Sequence, residues 1–414
     1  MRQKLNIGLF GFGCVGKGLY DVLEHTHGLK ANIARICVKD RDKERPVPAS
    51  YFTFDKYDIL NDDSINVIVE LIDDADAAFE IVSYALRKGK AVVSANKKMI
   101  AEHFDELLAL QKQFDVPFLY EGAACASIPV IRNLEEYYDN DLLNSIEGIV
   151  NGSTNFILTK MYNDGKDYDD VLREAQRLGF AETNPALDVE GFDARYKLSL
   201  LAAHAFGLFI KPNLIFKYGI SNISEADIRY AKEKGYKIKL TAHARKIGKS
   251  LGLWVIPQFI PANHALYNID NEYNGVSVEG VFSDRQFFSG KGAGSHPTAS
   301  AVLSDISAIS YNYRYEYKKK SQEQTLDYEP NLYMKLYCRF SNNMKISDLP
   351  FESIEQSFSS PEMNYVVGLA NLYDLGKSGL LERDNFFFAQ AAENVEIGNK
   401  NKEVIENDIY EIAI

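Results

Sequence analysis

Gly11-Phe-Gly13-Cys14-Val15-Gly16-Lys-Gly18 follows a short apolar run at residues 5–10 and opens an amphipathic stretch that continues to residue 23. Glycines at this spacing, between a predicted strand and a predicted helix, mark a turn that carries a dinucleotide. Gly11 permits the tight turn, Gly13 lets backbone approach a pyrophosphate, and Gly16 allows helix and strand to pack closely. The helix start at Cys14 and Val15 then offers free N–H groups to the anion.

The residues downstream supply the rest of such a fold. Apolar runs at 34–38, 67–72 and 91–94 read as further strands, with amphipathic helices near 76–88 and 102–113. That alternation builds βαβ units. The expected class is α/β, with a Rossmann-type doubly wound parallel sheet over residues 1–140. Residues 141–318 mix longer helices (168–178, 194–209, 224–234) with strands at 237–244 and 252–259, as in an α+β catalytic and dimerisation domain. A boundary is expected near 315–330, where Lys318-Lys-Lys320 leads to Pro330. Strands at 333–340, 354–358, 365–370 and 386–391 then form a small C-terminal α+β module over 330–414, and residues 395–408 are charged and Asn-rich.

Charge narrows the function classes. The 414 residues carry a net charge of −12, which argues against nucleic acid or an anionic membrane as the main partner. The four cysteines are scattered singly, so neither a disulfide framework nor a zinc ribbon is expected. Glycines and Lys17 interrupt the N-terminal apolar run, and the longest other one, 198–210, is far short of a bilayer span. The expected setting is cytoplasmic, and the expected partner a small-molecule substrate.

Several side chains could carry chemistry. Lys39, Arg41, Lys43 and Arg45 follow the second strand, where a basic residue favours NADP, while Asp40 and Asp42 keep NAD open. Asn96 and Lys97 follow the fourth strand, at the sheet's carboxyl end, where they can polarise a carbonyl or steady an alkoxide. Glu182, Asp188, Asp193 and Lys197 cluster around a Pro185/Gly191 loop. Asp193 and Lys197 are i and i+4 on one helix face, a spacing that suits either an oriented proton donor or a surface ion pair. Glu121 precedes a small-residue turn whose carbonyls can face a hard cation, or which is simply packed. Gly292 sits in a second glycine loop, before a helix expected at 300–309.

Taken together these residues resemble the homoserine dehydrogenase family. The matching stretches are the glycine loop at 11–18, Val-Val-Ser-Ala-Asn-Lys at 92–97 and Glu-Gly-Ala-Ala-Cys-Ala-Ser-Ile-Pro at 121–129. Gly-Ile-Val-Asn-Gly-Ser-Thr-Asn-Phe-Ile-Leu at 148–158 and Glu-Ala-Gln-Arg-Leu-Gly-Phe-Ala-Glu at 174–182 follow. Asp-Val-Glu-Gly-Phe-Asp-Ala-Arg-Tyr-Lys at 188–197 and Gly-Ala-Gly-Ser-His-Pro-Thr-Ala-Ser-Ala-Val at 292–302 complete the set. The resemblance runs in order over about 1–315. It implies reversible NAD(P)H-dependent reduction of L-aspartate 4-semialdehyde to L-homoserine, a step toward threonine and methionine. It implies Lys197 and Lys97 as catalytic lysines, Asp193 orienting Lys197, and Glu182, Asp188 and Lys97 on the substrate. Glu121 with the carbonyls of Ala124, Ala126 and Ile128 would match a monovalent-cation site, usually sodium, and a homodimer is implied. Family members often carry a C-terminal ACT domain, and here a degenerate ACT-like or structural module is expected, without its first helix. Asp73-Asp74 stands where the family tends to have two glycines. It motivates the alternative of a non-catalytic NAD(P)-binding regulatory protein on the same fold.

Overall fold

Strand β1 (Leu5–Phe10) is apolar on both faces because it lies in the middle of a parallel sheet covered on both sides. The computed structural model describes residues 4–140, 142–321 and 326–392. After β1 come α1 (Cys14–Glu24), β2 (Ala31–Cys37), β3 (Phe52–Thr53), a single turn α2 (Tyr57–Leu60) and β4 (Val67–Glu70). Then α3 (Ala75–Arg87), β5 (Ala91–Ser94), α4 (Lys97–Glu102), α5 (Phe104–Phe114) and β6 (Phe118–Leu119) complete a six-stranded sheet in the order β3-β2-β1-β4-β5-β6. The chain's course reverses between β1 and β4, so the glycine loop sits at the topological switch point. The helix expected at 102–113 is α5, and a separate short helix, α4, precedes it. His103 leaves helical geometry and stacks on Phe79 at 3.8 Å, while α4 begins at Lys97 because Asn96 caps it.

The second part holds α6 (Val130–Glu136), β7 (Leu143–Ile149), α7 (Gly152–Asp164), α8 (Tyr168–Leu178), α9 (Ala186–Val189) and α10 (Phe192–Phe206). It continues with β8 (Phe216–Lys217), α11 (Glu225–Glu233), β9 (Tyr236–Ile247), β10 (Ser250–Pro261), β11 (Tyr273–Gly280) and β12 (Asp284–Lys291). β9 and β10 form a long hairpin whose two-residue turn needs the positive φ of Gly248, +60°. Helix α12 (Ser295–Ile309) starts five residues earlier than expected, since Pro297 is tolerated within a first helical turn. It returns to pack on α1, where Gly18 leaves room for Ser295: a Cβ there would lie 2.5 Å from the serine Oγ.

The last elements are β13 (Asp327–Tyr328), β14 (Tyr333–Phe340), β15 (Phe351–Ser359), β16 (Asn364–Asn371), α13 (Leu372–Lys377) and β17 (Phe387–Gln390). The second sheet runs β12-β11-β7-β9-β10-β17-β14-β16-β15. The C-terminal strands therefore share a sheet with the middle of the chain, joined at Gln258–Gln390 and braced by Trp254 Nε1 donating to Gln390 Oε1 at 3.1 Å. The expected boundary near 315 is also packed rather than open. Tyr315 is buried, and Lys319 donates to the carbonyls of Leu134 and His204 at 2.9 and 3.0 Å. Tyrosines at every second position turn the Tyr315 and Tyr317 rings inward there, a signal that the neighbouring lysines conceal. The stretch 395–408 lies outside the described residues. Among the described residues no helix is long and apolar enough to cross a membrane.

Candidate active site

The glycine turn has the shape its sequence demands. Gly11 has φ +92°, and a Cβ there would lie 2.6 Å from the Leu71 carbonyl. A Cβ on Gly16 would meet the Gly11 carbonyl at 2.3 Å, whereas nothing lies within 4 Å of one on Gly13. No side chain caps α1 at Gly13, so the N–H groups around Cys14 and Val15 remain available to an anion. The turn fits a dinucleotide pyrophosphate. Lys39, 81% exposed, lies 3.4 Å from Asp74 Oδ2, and Arg41 and Arg45 rest over Phe54 and Phe52. Asp74 caps α3 by accepting from Ala77 N at 3.0 Å. Gly292 is buried against Asn274, with no room for a Cβ, so the structure gives it a packing role.

At the carboxyl end of β4 and β5, Glu70 is fully buried. It accepts from Ser94 Oγ at 2.6 Å and from Ile72 N at 2.7 Å, and burial pushes its carboxyl up to about 7. Asn96 donates to the Ile72 carbonyl at 3.0 Å and accepts from Met99 N, which fixes the start of α4 and therefore Lys97.

α4 packs against α10, and their facing side chains form the centre of the site. Lys97 Nζ lies 3.0 Å from Asp193 Oδ1, and Lys197 Nζ lies 2.7 Å from Asp193 Oδ2. One carboxylate thus bridges two ammonium groups. Lys197 and Asp193 are buried, while the Lys97 side chain is 40% exposed. Burial works to raise the Asp193 carboxyl, but Lys197 and Lys97 outweigh it and hold it well below the usual carboxylate range. The charge of Asp193 in turn raises Lys97 above its ordinary value. Lys197 also donates to the Val150 carbonyl at 2.7 Å. Two of its three N–H donors are thereby used, leaving one for a substrate oxygen.

The sequence reading brought Lys97, Asp193 and Lys197 forward but missed the residue that ties them to Asp188. Asn151 Nδ2 donates to Asp188 Oδ1 at 2.7 Å and to Asp193 Oδ2 at 2.9 Å, while its carbonyl oxygen caps α7 at Thr154 N. An asparagine before Gly-Ser-Thr at a strand-to-helix junction is the signal that could have found it. Burial and the charge of Asp193 raise the Asp188 carboxyl. Glu182 is exposed; among the described residues its carbonyl accepts from Gln176, and its side chain joins none of these bonds.

The turn after Glu121, where a cation cradle was expected, is braced through the Glu121 side chain. The Glu121 carboxylate accepts from Ile131 N and Arg132 N at 2.9 and 2.8 Å, anchoring α6, and the Ile128 carbonyl accepts from Val130 N. Ala124 and Ala126 keep their carbonyls, with Ala126 at φ +46°. Among the described residues no group of three or more His, Cys, Asp or Glu side chains could hold a metal ion. Cys125 is buried and burial pushes its thiol up to about 12, as suits a packed residue.

The known proteins that this chain is similar to are homoserine dehydrogenases. The family model for the homoserine dehydrogenase NAD-binding domain matches residues 11–121, and the homoserine dehydrogenase model matches residues 129–307. The homoserine dehydrogenase of Bacillus subtilis is 38% identical over 321 residues, spanning 75% of this chain and 74% of the relative. That of Neisseria gonorrhoeae is 38% identical over 312 residues, spanning 73% and 72%. Among solved structures, a homoserine dehydrogenase from Thiobacillus denitrificans superposes with a TM-score of 0.82 at 29% identity, covering 94% of this chain and 99% of that one. A hyperthermophilic archaeal homoserine dehydrogenase in complex with NADPH gives 0.64 at 26% identity, covering 76% and 99%. The bridged lysines, the glycine turn and these matches lead to one assignment: the chain belongs to the homoserine dehydrogenase family.

Proposed function

We propose that this chain catalyses the reversible reduction of L-aspartate 4-semialdehyde to L-homoserine, and that the Lys97–Asp193–Lys197 bridge carries the reaction. When bound, the nicotinamide supplies the hydride in reduction and accepts it in oxidation. Lys197 delivers a proton to the alkoxide oxygen through its remaining N–H, and takes it back when homoserine is oxidised. Asp193 fixes the position of that ammonium. Lys97, the more exposed of the two, binds the substrate from the open side. Asp188, turned by Asn151, offers an acceptor to the substrate's ammonium group; Glu182 would serve there only by moving toward the cluster. The observation that carries the reading is the single carboxylate bridging two lysines beside a dinucleotide turn.

NADP is the proposed cofactor, with Lys39 at the 2′-phosphate and Gly11, Gly13, Cys14, Val15 and Gly16 around the pyrophosphate. A monovalent cation is proposed at Glu121 and the carbonyls of Ala124, Ala126 and Ile128, although Glu121 already accepts from two backbone N–H groups and Ile128 from one; no step is assigned to it. The C-terminal strands, in spatial order β17-β14-β16-β15 with one short helix and a 3-10 turn at Ile346–Asp348, support a degenerate ACT-like module. We assign no effector to it. The three-part division at 1–140, 141–318 and 330–414 and a cytoplasmic setting complete the proposal.

Oxidation of L-homoserine followed by nicotinamide absorbance, with NADP and NAD in parallel, tests the function. Turnover with at least one is expected. Folded protein inert with both would overturn the reading in favour of a nucleotide-binding protein without catalysis.

A homodimer is also proposed. β12 is one of the two edges of the second sheet among the described residues, and its hairpin exposes Val281, Phe282 and Phe287, the second 71% exposed. An apolar edge of this kind invites a second copy. Sedimentation is expected to give twice the chain mass, and Phe282→Glu to shift the protein toward monomer. A wild-type mass equal to one chain would end this part of the proposal.

A further inference from the structure

The acidic pair Asp73-Asp74 has no place in the chemistry just described, yet it follows the carboxyl end of β4, in the loop that packs against the glycine turn. The loop that carries it is held firmly. Leu71 N donates to the Phe10 carbonyl at 2.9 Å, Ile72 N to Glu70 and Asn96 Nδ2 to the Ile72 carbonyl, and Gly11 lies tight against the Leu71 carbonyl. The two carboxylates have different neighbours. Asp73 acts electrostatically on Lys97 and Glu70, on the catalytic side. Asp74 pairs with Lys39, on the side where β2 ends.

Among the basic residues of the β2 loop, Arg41 and Arg45 are spent on aromatic faces. Arg45 also donates to the carbonyls of Asp40 and Lys43. Lys39 is the one that pairs across to the 71–74 loop. A 2′-phosphate approaching Lys39 therefore meets an ammonium already paired with a carboxylate, which must give up that partner while carrying its negative charge nearby. A cofactor with a free 2′-hydroxyl has no such competition.

We propose that Asp74, acting through Lys39, is a specificity-determining residue that weakens this chain's preference for NADP over NAD. The proposal rests on the reading of Lys39 as the 2′-phosphate contact. Asp74→Asn tests it without dismantling α3, because asparagine caps a helix about as well as aspartate. The quantity to measure is the ratio of kcat/KM with NADP to that with NAD. Asp74→Asn is expected to raise this ratio about three- to fivefold, the scale of an exposed ion pair, chiefly through a lower KM for NADP, and less so at high salt. Lys39→Ala is expected to lower the ratio, and Asp74→Asn in that background to change it by less than about twofold. Asp73→Asn removes the same charge one residue away and is expected to move the ratio by less than about twofold.

An unchanged ratio in Asp74→Asn, an equal rise in the Lys39→Ala background, or an equal rise in Asp73→Asn would each overturn the proposal. Lys39→Ala alone separates the two layers. If it leaves the ratio unchanged, the underlying placement of the 2′-phosphate is wrong, and the role of Asp74 falls with it.

Discussion

Lys197→Met is expected to lower kcat for homoserine oxidation by about two to four orders of magnitude, the usual worth of a positioned proton-transfer group. Methionine roughly keeps the volume and packing of the buried site but removes the ammonium proposed to face the substrate oxygen. NADP affinity, measured by quenching or calorimetry, is expected to change little, because the glycine turn is built from other elements. Lys197→Arg makes the test sharper. Its guanidinium keeps the charge beside Asp193 but does not release a proton near neutrality, so kcat is expected to stay below about a hundredth of the wild-type value. Near-normal turnover in either variant would remove Lys197 from the mechanism. Asp193 itself is not expected to set the acid limit of activity. Its folded pKa lies below the unfolded one, so its stabilising contribution is complete above about pH 4 and is lost only as the pH falls further.

The second large effect concerns stability. Asp227 is fully buried and accepts from Arg339 Nε at 2.9 and 3.0 Å and from Tyr337 OH at 2.9 Å. Arg339 spends its other donors on the carbonyls of Asn222 and Asn385. This cluster fastens β14 to the cap of α11. Asp227→Ala is expected to destabilise the protein by about 3–5 kcal/mol, because it leaves a buried guanidinium without its counter-charge. The double variant Asp227→Leu/Arg339→Met is expected to recover most of that loss, since both ions are replaced by apolar groups. Thermal or denaturant unfolding reads both outcomes. A single variant within about 1 kcal/mol of wild type, or a double variant as weak as the single, would show that the pair does not hold the module in place.

Legibility in the sequence followed the range of the interactions. The glycine turn was readable because its geometry is set within six residues. Asp193 and Lys197 were readable as i and i+4, and Lys97 as the end of a strand. What spacing left open was whether Asp193 also meets Lys97, nearly a hundred residues earlier, and the structure shows that it does. Asn151 escaped notice because its two acceptors are 37 and 42 residues away. Glu182 was grouped with the site by proximity along the chain, but Gly191 and the short α9 turn Asp188 inward while 182–184 stay exposed. The second sheet was least visible, because β10 meets the C-terminal strands only through short pairings, with β13 at Asp327–Tyr328 and with β17 at Gln390, among the described residues, and these join segments far apart in the chain.

The contact between α1 and α12 has a consequence for how the protein is made. Ser295 Oγ donates to the Cys14 carbonyl across 281 residues, Glu121 N to Asp305 across 184, and Gln111 to the Tyr315 carbonyl across 204. A growing chain that has emerged only as far as β6 carries all six strands of the parallel sheet but none of the surfaces that finish it. Closing loops of that length costs entropy before any contact repays it. The nucleotide-binding part should therefore reach its native packing only once translation has passed α12. Until then its helices present small residues and apolar patches to whatever the ribosome exit site offers.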